Sequence, residues 1–135
     1  MFQNNYTPSS SILPMLDRHR QLWPKTAHDR PLTVKMETLD QIAQRNGIDG
    51  PSILKLDVQG FELNVLKGAE KTLTNCVLVQ LEVLFEPLYE SQSDFLGIMQ
   101  FLSSHGLQFV DFVEQRRMKP NNSLVYADAA FMRTI

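Results

Sequence analysis

Residues 52–73 read SILKLDVQGFELNVLKGAEKTL and predict a strand, a tight turn and a helix in direct succession. Residues 53–58 are almost continuously apolar, which is typical of a strand that is covered on both faces of a parallel sheet. Gln59-Gly60 allows the turn, and the apolar residues that follow recur at helical spacing. Asp57 is therefore expected at the carboxyl end of a parallel strand, where open α/β sheets bind their ligands.

The sequence on either side of this stretch predicts further strands and helices in alternation. Residues 32–36 alternate between apolar and polar side chains and predict a short extra strand. Thr38 and Gln41 form a capping box, which predicts a helix that ends at Asn46-Gly47. Residues 77–85 are apolar except for two polar side chains and predict a second strand, parallel to the first.

The last third of the chain predicts a helix and an antiparallel hairpin. Residues 95–102 place apolar side chains at helical spacing, with Ser91 or Ser93 as the expected N-cap. Residues 107–113 and 123–132 predict the two strands of the hairpin. The predicted fold class is therefore α/β, with two parallel strands followed by an antiparallel pair.

Composition and charge exclude several classes of protein. The 135 residues are 43% hydrophobic and 21% charged, as in a soluble globular chain. A net charge of −2 predicts neither a nucleic acid nor a membrane surface as partner. The chain shows no signal peptide and no apolar run of ~20 residues, which predicts a cytoplasmic protein. Residues 1–31, interrupted by prolines, predict an irregular arm, and residues 32–135 predict the domain on which it packs.

The cysteine and the histidines give no sign of a metal or redox site, and the basic residues predict no special function. Cys76 is the single cysteine, which excludes an internal disulfide, and it opens an apolar run in which we expect it to be buried. The basic cluster at residues 18–20, with His19 at its centre, is expected at the solvated surface. His28 and His105, like His19, are expected at the surface or as helix caps, because the spacing of the histidines is not that of metal ligands.

Four parts of the sequence together resemble the catalytic domain of FkbM-type methyltransferases. They are VKMETLDQI (34–42), LKLDVQGFELNVLKGAEKTL (54–73), LVQLEVLFEPLYE (78–90) and the helix-to-strand step at Gly106. The resemblance covers roughly residues 9–133, and its core motif is Asp-x-Gln/Glu-Gly-x-Glu followed by Leu-Lys-Gly-Ala. It implies an enzyme that uses S-adenosylmethionine and has the Rossmann-like class I fold.

In the class I fold the sheet order is 3-2-1-4-5-7-6, with strand 7 antiparallel. On this template residues 53–58 resemble strand 4, residues 77–85 resemble strand 5, and the hairpin resembles strands 6 and 7. The family's glycine-rich cofactor loop has no counterpart, because the first glycine is Gly47 and no Gly-x-Gly occurs. The chain thus resembles the carboxyl-terminal part of such a domain. A free edge on strand 4 would then predict a homodimer through the sheet.

The resemblance also implies site residues in the turn after the first parallel strand. Asp57 is expected near the methionine part of the cofactor, as a base or as a group that orients the acceptor. Capping of the next helix is the alternative for Asp57. Gln59, Gly60 and Glu62 are expected to contact or shape the cofactor pocket. Backbone conformation alone also explains Gly60, and the helix dipole also explains Glu62.

Glu82 is a carboxylate inside an apolar strand, and a buried unpaired carboxylate is costly. We expect it either to pair with Lys55 or to lie at the pocket as a catalytic or acceptor-binding residue. No metal site is expected, since Asp57 and Glu82 are two acids without further ligands.

The sequence therefore predicts an S-adenosylmethionine-dependent methyltransferase of the FkbM type. Its expected acceptor is the hydroxyl of a sugar or of another small metabolite. The alternative is a catalytically silent half-domain that dimerises or binds a partner by strand addition.

Overall fold

The structure is a computed structural model, which describes the backbone of residues 1–134 and their side chains except that of Thr7. Ile135, the last residue of the predicted domain, lies outside the described residues. The strands are β1 (Phe2–Asn4), β2 (Asp29–Pro31), β3 (Ser52–Leu56), β4 (Cys76–Leu84), β5 (Leu107–Met118) and β6 (Ser123–Arg133). The helices are α1 (Asp17–Leu22), α2 (Leu39–Arg45), α3 (Glu62–Lys67), α4 (Glu70–Leu73) and α5 (Phe95–Ser104), with 3-10 helices at Thr7–Ser9 and Pro24–Thr26.

Four strands form the main sheet, in the spatial order β3-β4-β6-β5. β3 and β4 are parallel and are joined through α3 and α4, whereas β6 runs antiparallel to both β4 and β5. This is the order that the resemblance implies for strands 4, 5, 7 and 6. The predicted α/β class with a mixed sheet is confirmed, and the arrangement is compatible with a methyltransferase-like fold.

Local sequence determines where the helices after β2 and β3 begin and end. Thr38 and Gln41 form the predicted capping box at the start of α2. α3 ends at Gly68, where the sequence predicted a break, and α4 begins at Glu70. The Asp40 carboxylate in α2 accepts hydrogen bonds from the amide and hydroxyl of Thr72 in α4, at 2.8 and 2.7 Å. These bonds join α2 to the crossover between the two parallel strands.

One face of the main sheet carries the hydrophobic core, on which α3, α4 and α5 pack. Leu66, Leu81, Leu102 and Phe131 are fully buried there, and so is Cys76, as predicted. Complete burial of one such leucine or phenylalanine contributes roughly 1.5–3 kcal/mol. None of the helices within residues 1–134 combines the length and the apolar character that a membrane crossing requires.

The other face of β3 is open. Ile53 is 68% exposed and Lys55 is also exposed, so the prediction that this strand is covered on both faces is wrong. The reason is that Leu54 and Leu56 point to the core while the crossover helices pack on their side alone. Within the described residues β3 pairs only with β4, which leaves its other edge free. The homodimer through this edge stays a prediction.

Residues 1–31 form short elements that pack beside the carboxyl end of β4. β1 and β2 form a two-stranded antiparallel ribbon. Met15 then packs in a second apolar cluster with Leu84, Leu88 and Val125, and this cluster joins the arm to the main sheet. The division of the chain at residue 31 stays a prediction.

Two predictions of local structure are wrong. Residues 32–36 are not a strand but coil, because their alternating side chains find no neighbouring strand to pair with. The extra N-terminal strand of the predicted fold class is therefore replaced by β1 and β2. The N-cap of α5 is Asp94, which accepts a hydrogen bond from the Gly97 amide at 2.8 Å. Ser91 does not cap this helix, and the Ser93 hydroxyl instead bonds to the turn after β3.

Arg133 joins three chain segments at the end of the core opposite to the arm. Its guanidinium donates hydrogen bonds to the carbonyl oxygens of Leu73, Cys76 and His105, at 2.5, 2.9 and 3.1 Å. The last turns of α4 and α5 and the start of β4 therefore share one donor group.

We expect Arg133→Met to lower the free energy of unfolding by about 2–4 kcal/mol, because three partly buried carbonyls lose a charged donor. Urea denaturation measures the change. Arg45→Met is the control, since Arg45 pairs with Glu37 at an exposed position, and an effect below about 0.5 kcal/mol is expected for it. Equally small effects for both variants would contradict the structural role of Arg133.

Candidate functional site

A buried carboxylate holds the turn after β3. Glu62, the first residue of α3, is 1% exposed, and its Oε1 accepts hydrogen bonds from the amides of Val58 and Gly60, both at 3.2 Å. Gln59 and Gly60 have φ angles of +53° and +92°, in the left-handed region. A Cβ at Gly60 would lie 2.9 Å from the Cβ of Gln92, so this position also requires glycine for space.

Glu62 faces the backbone of the turn. Burial raises its pKa, while the amides from which it accepts hydrogen bonds lower it. Its position in the first turn of α3 is the one that the helix dipole favours for an acid. The contact with a cofactor expected for Glu62 stays a prediction.

Gln59 links the acidic side chains at the ends of β3 and β4. Its Nε2 donates a hydrogen bond to Asp57 Oδ1 at 2.7 Å and lies 3.5 Å from Glu82 Oε1. Its Oε1 accepts a hydrogen bond from the Tyr89 hydroxyl at 2.6 Å, which fixes the orientation of the amide. The structure thus brings together Asp57, Gln59 and Glu82, and adds Tyr89, which the sequence did not indicate.

Asp57 does not cap the following helix. The N-cap of α3 is Phe61, whose side chain accepts no hydrogen bond from the helix, and the Leu63 amide in the first turn donates to the Ser93 hydroxyl at 3.0 Å instead of to Asp57. The alternative role of Asp57 as a cap is therefore wrong, and its exposed carboxylate is turned to Gln59. Its catalytic role stays a prediction. Among residues 1–134, no group of three or more acidic, histidine or cysteine side chains is arranged to hold a metal ion.

Glu82 lies among other acids. Burial, followed by the charges of Asp57, Glu62 and Asp128, raises the pKa of Glu82 to about 8. Asp128 is its direct antiparallel neighbour on β6. The alternative that Glu82 pairs with Lys55 is wrong, because the ion pairs of the described residues do not include this one. Glu82 is therefore largely protonated at neutral pH.

A pocket of about 350 Å³ opens at the carboxyl ends of β3 and β4. This volume is within the range of small-molecule sites. Its sheet side is lined by Asp57, Gln59, Glu82, Leu84, Leu88 and Tyr126. Of the predicted site residues, Gly60 and Glu62 lie outside this lining and support the turn behind it.

The N-terminal arm forms the opposite wall of the pocket, through Tyr6, Pro8, Ser9, His19, Trp23 and Thr26. His19 is only 4% exposed, and its ring centroid lies 4.8 Å from that of Trp23 and 5.2 Å from that of Tyr89. The predicted surface position of His19 is therefore wrong, because the arm folds over the end of β4. The apolar residues of the arm signalled that it packs, but no pattern indicated against which surface.

The acidity of the pocket makes stability depend on pH. Glu82 has a pKa of about 8 in the folded protein against a usual value of 4.5. Between these values the folded state binds more protons than the unfolded chain, so the free energy of unfolding falls as the pH rises. The decrease due to Glu82 is at most about 5 kcal/mol.

We expect Glu82→Gln to reduce this loss of stability, measured by urea denaturation at about pH 5 and about pH 8.5. The free energy of unfolding of the variant is still expected to fall with pH, but less steeply, because the pKa of Glu62 is also raised. Glu90→Gln replaces an exposed acid and is expected to keep the slope of the unaltered protein. The raised pKa of Glu82 would be contradicted if Glu82→Gln and the unaltered protein lost the same free energy.

Comparison with known proteins places the chain among methyltransferases. The family model described as the methyltransferase FkbM domain matches residues 4–109. The 2-O-methyltransferase NoeI of Sinorhizobium fredii is 32% identical over 98 residues, which are 71% of this chain and 40% of NoeI. The hexuronic acid methyltransferase AglP of Haloferax volcanii is 31% identical over 65 residues, which are 47% of this chain and 27% of AglP. No solved structure matches the chain.

These matches confirm the resemblance that the motifs carried. The family match includes β3, β4 and the turn with Asp57, Gln59 and Glu82. The chain spans 40% or less of the length of these two relatives. Because the family model covers most of its residues, the chain belongs to the FkbM methyltransferase family.

Proposed function

We propose that this chain takes part in methyl transfer from S-adenosylmethionine to a hydroxyl oxygen of a sugar or another small metabolite. The observation that carries the proposal is the convergence of Asp57, Gln59 and Glu82 on one pocket at the carboxyl ends of two parallel strands. Family membership and two relatives named as methyltransferases support it. The spatial order β3-β4-β6-β5 supports a Rossmann-like class I fold as part of the same proposal.

The acidic and amide side chains of the pocket suit a methyl donor that carries a positive charge. S-adenosylmethionine carries a positive sulfonium and supplies an electrophilic methyl group. Burial, followed by the charges of Asp57 and Glu62, raises the pKa of Glu82, and a bound cation would offset the effect of those charges. In this proposal Asp57 and Gln59 hold the donor through carboxylate and amide, while Gly60 and Glu62 shape the turn behind them.

Transfer to oxygen requires in-line placement of the acceptor and removal of its hydroxyl proton. Glu82 contributes to acceptor binding, since its protonated carboxyl can both donate and accept a hydrogen bond. Asp57 is exposed and already bonded to Gln59, which suits orientation of the acceptor better than removal of a proton. Gln59 holds a fixed position between the two acids through its bond to Tyr89.

A sugar is the favoured acceptor. The names of the two relatives specify 2-O-methylation and a hexuronic acid. Trp23 and Tyr126 lie at the same pocket with ring centroids 6.4 Å apart. They offer an apolar surface beside the polar groups of Glu82 and Gln59, a combination typical of small-molecule sites.

Calorimetric titration with S-adenosylhomocysteine, the donor without its methyl group, tests the binding step. We expect saturable binding to the chain, and an affinity at least about tenfold lower for Asp57→Ala, which removes a polar group of the pocket. Asp111→Ala is the matched control, because Asp111 is an exposed acid of β5 outside the pocket. Absence of binding by the folded chain, or equal affinity of the Asp57→Ala variant, would contradict the proposal.

A further inference from the structure

The two ring nitrogens of His19 have different surroundings. Nδ1 lies 3.3 Å from Thr26 Oγ1. The Thr26 hydroxyl has one proton, which it donates to the carbonyl oxygen of Trp23 at 2.8 Å. The Thr26 oxygen can therefore only accept from the imidazole, and Nδ1 carries the ring proton. In the neutral ring this leaves the lone pair on Nε2.

His19 belongs to the pocket wall, and its Nε2 has no hydrogen-bond partner among the described residues. The hydrogen bond of the ring joins Nδ1 to Thr26, so Nε2 is the ring nitrogen that the described hydrogen bonds leave free. Because His19 lines the same pocket as Asp57 and Glu82, Nε2 is the ring nitrogen available to a ligand there.

His19 is neutral at neutral pH. Burial, with a smaller contribution from the adjacent Arg20 cation, lowers its pKa. The other titratable groups of the pocket and its floor are Tyr6, Asp57, Glu82, Tyr89 and Tyr126. The pKa of Glu82 and those of Tyr89 and Tyr126 are raised, and a hydrogen bond to its own backbone is what opposes the lowering of the His19 pKa by burial and Arg20.

We propose that Nε2 of His19 is the general base that removes the proton of the acceptor hydroxyl. This inference rests on the proposed function and names the group that completes it. As the acceptor oxygen forms its bond to the methyl carbon, its proton passes to Nε2, and the electrons of the broken carbon–sulfur bond remain on the sulfur of the donor. The imidazolium then releases the proton to water.

Thr26 is the positioning residue for this base. Its oxygen accepts from Nδ1 and so keeps the lone pair on Nε2. Trp23 fixes Thr26 through its carbonyl and packs its indole against the imidazole. Both residues belong to the arm, which therefore supplies the base as well as a wall of the pocket.

The tautomer can be measured without any ligand. In the chain labelled with ¹⁵N-histidine, long-range proton–nitrogen correlation spectra at neutral pH are expected to show His19 with Nδ1 protonated and Nε2 unprotonated. Thr26→Ser keeps the acceptor and is expected to keep this tautomer, whereas Thr26→Val removes the acceptor and is expected to lose the preference. A His19 protonated on Nε2 in the unaltered chain would overturn the proposal.

Kinetics test the role of the base, with radiolabelled S-adenosylmethionine as donor and methyl β-D-glucuronide as acceptor probe. We expect His19→Gln to lower kcat by about 10²–10⁴-fold and to remove the acidic limb of the pH profile of kcat/KM. The affinity for S-adenosylhomocysteine is expected to change far less than kcat. His28→Gln, at an exposed position, is the matched control.

The two proposals fail in different ways. Lack of S-adenosylhomocysteine binding by the folded chain refutes the proposed function. If S-adenosylhomocysteine binds but His19 is protonated on Nε2, the role of His19 as the base is refuted while the proposed function stands. The same holds if His19→Gln and His28→Gln have the same kcat. A drop in kcat for Thr26→Val that Thr26→Ser does not share separates positioning of the ring from a general loss of stability.

Discussion

The buried carboxylate of Glu62 is the interaction on which the rest of the site depends. It accepts hydrogen bonds from the amides of Val58 and Gly60, in a turn where Gln59 and Gly60 have left-handed φ angles. The same residue begins α3, so the turn and the helix that covers the core are fixed together. With the turn held in this way, Asp57 and Gln59 leave the end of β3 toward Glu82 of the neighbouring strand.

The pocket then results from contact between two parts of the chain that are distant in sequence. The sheet contributes acids and an amide, and the arm contributes aromatic rings and an imidazole. Met15, packed with Leu84 and Leu88, holds the arm in place through apolar burial. Burial of Glu82 near other acids raises its pKa and so weakens the folded state at high pH. Perturbed pKa values of this kind are common at functional sites.

Local signals in the sequence were sufficient where local interactions determine the structure. The capping box at Thr38 and the break at Gly68 were predicted because their hydrogen bonds lie within a few residues. Residues 32–36 were wrongly predicted because alternation specifies a strand only when a neighbour pairs with it. Glu82 was found because a carboxylate inside an apolar strand is costly unless it is paired or lies at a pocket, whereas His19 was missed because its burial depends on where the arm packs.

Amide chemical-shift mapping tests most directly whether the turn and the arm form one binding site. The ¹⁵N-labelled chain would be titrated with S-adenosylmethionine, and the shifts of all assigned amides followed. The account predicts that residues 57–60 of the turn and residues 19–26 of the arm respond together, with the same dependence on ligand concentration. Shifts confined to other surfaces, or a response of the turn without the arm, would contradict it.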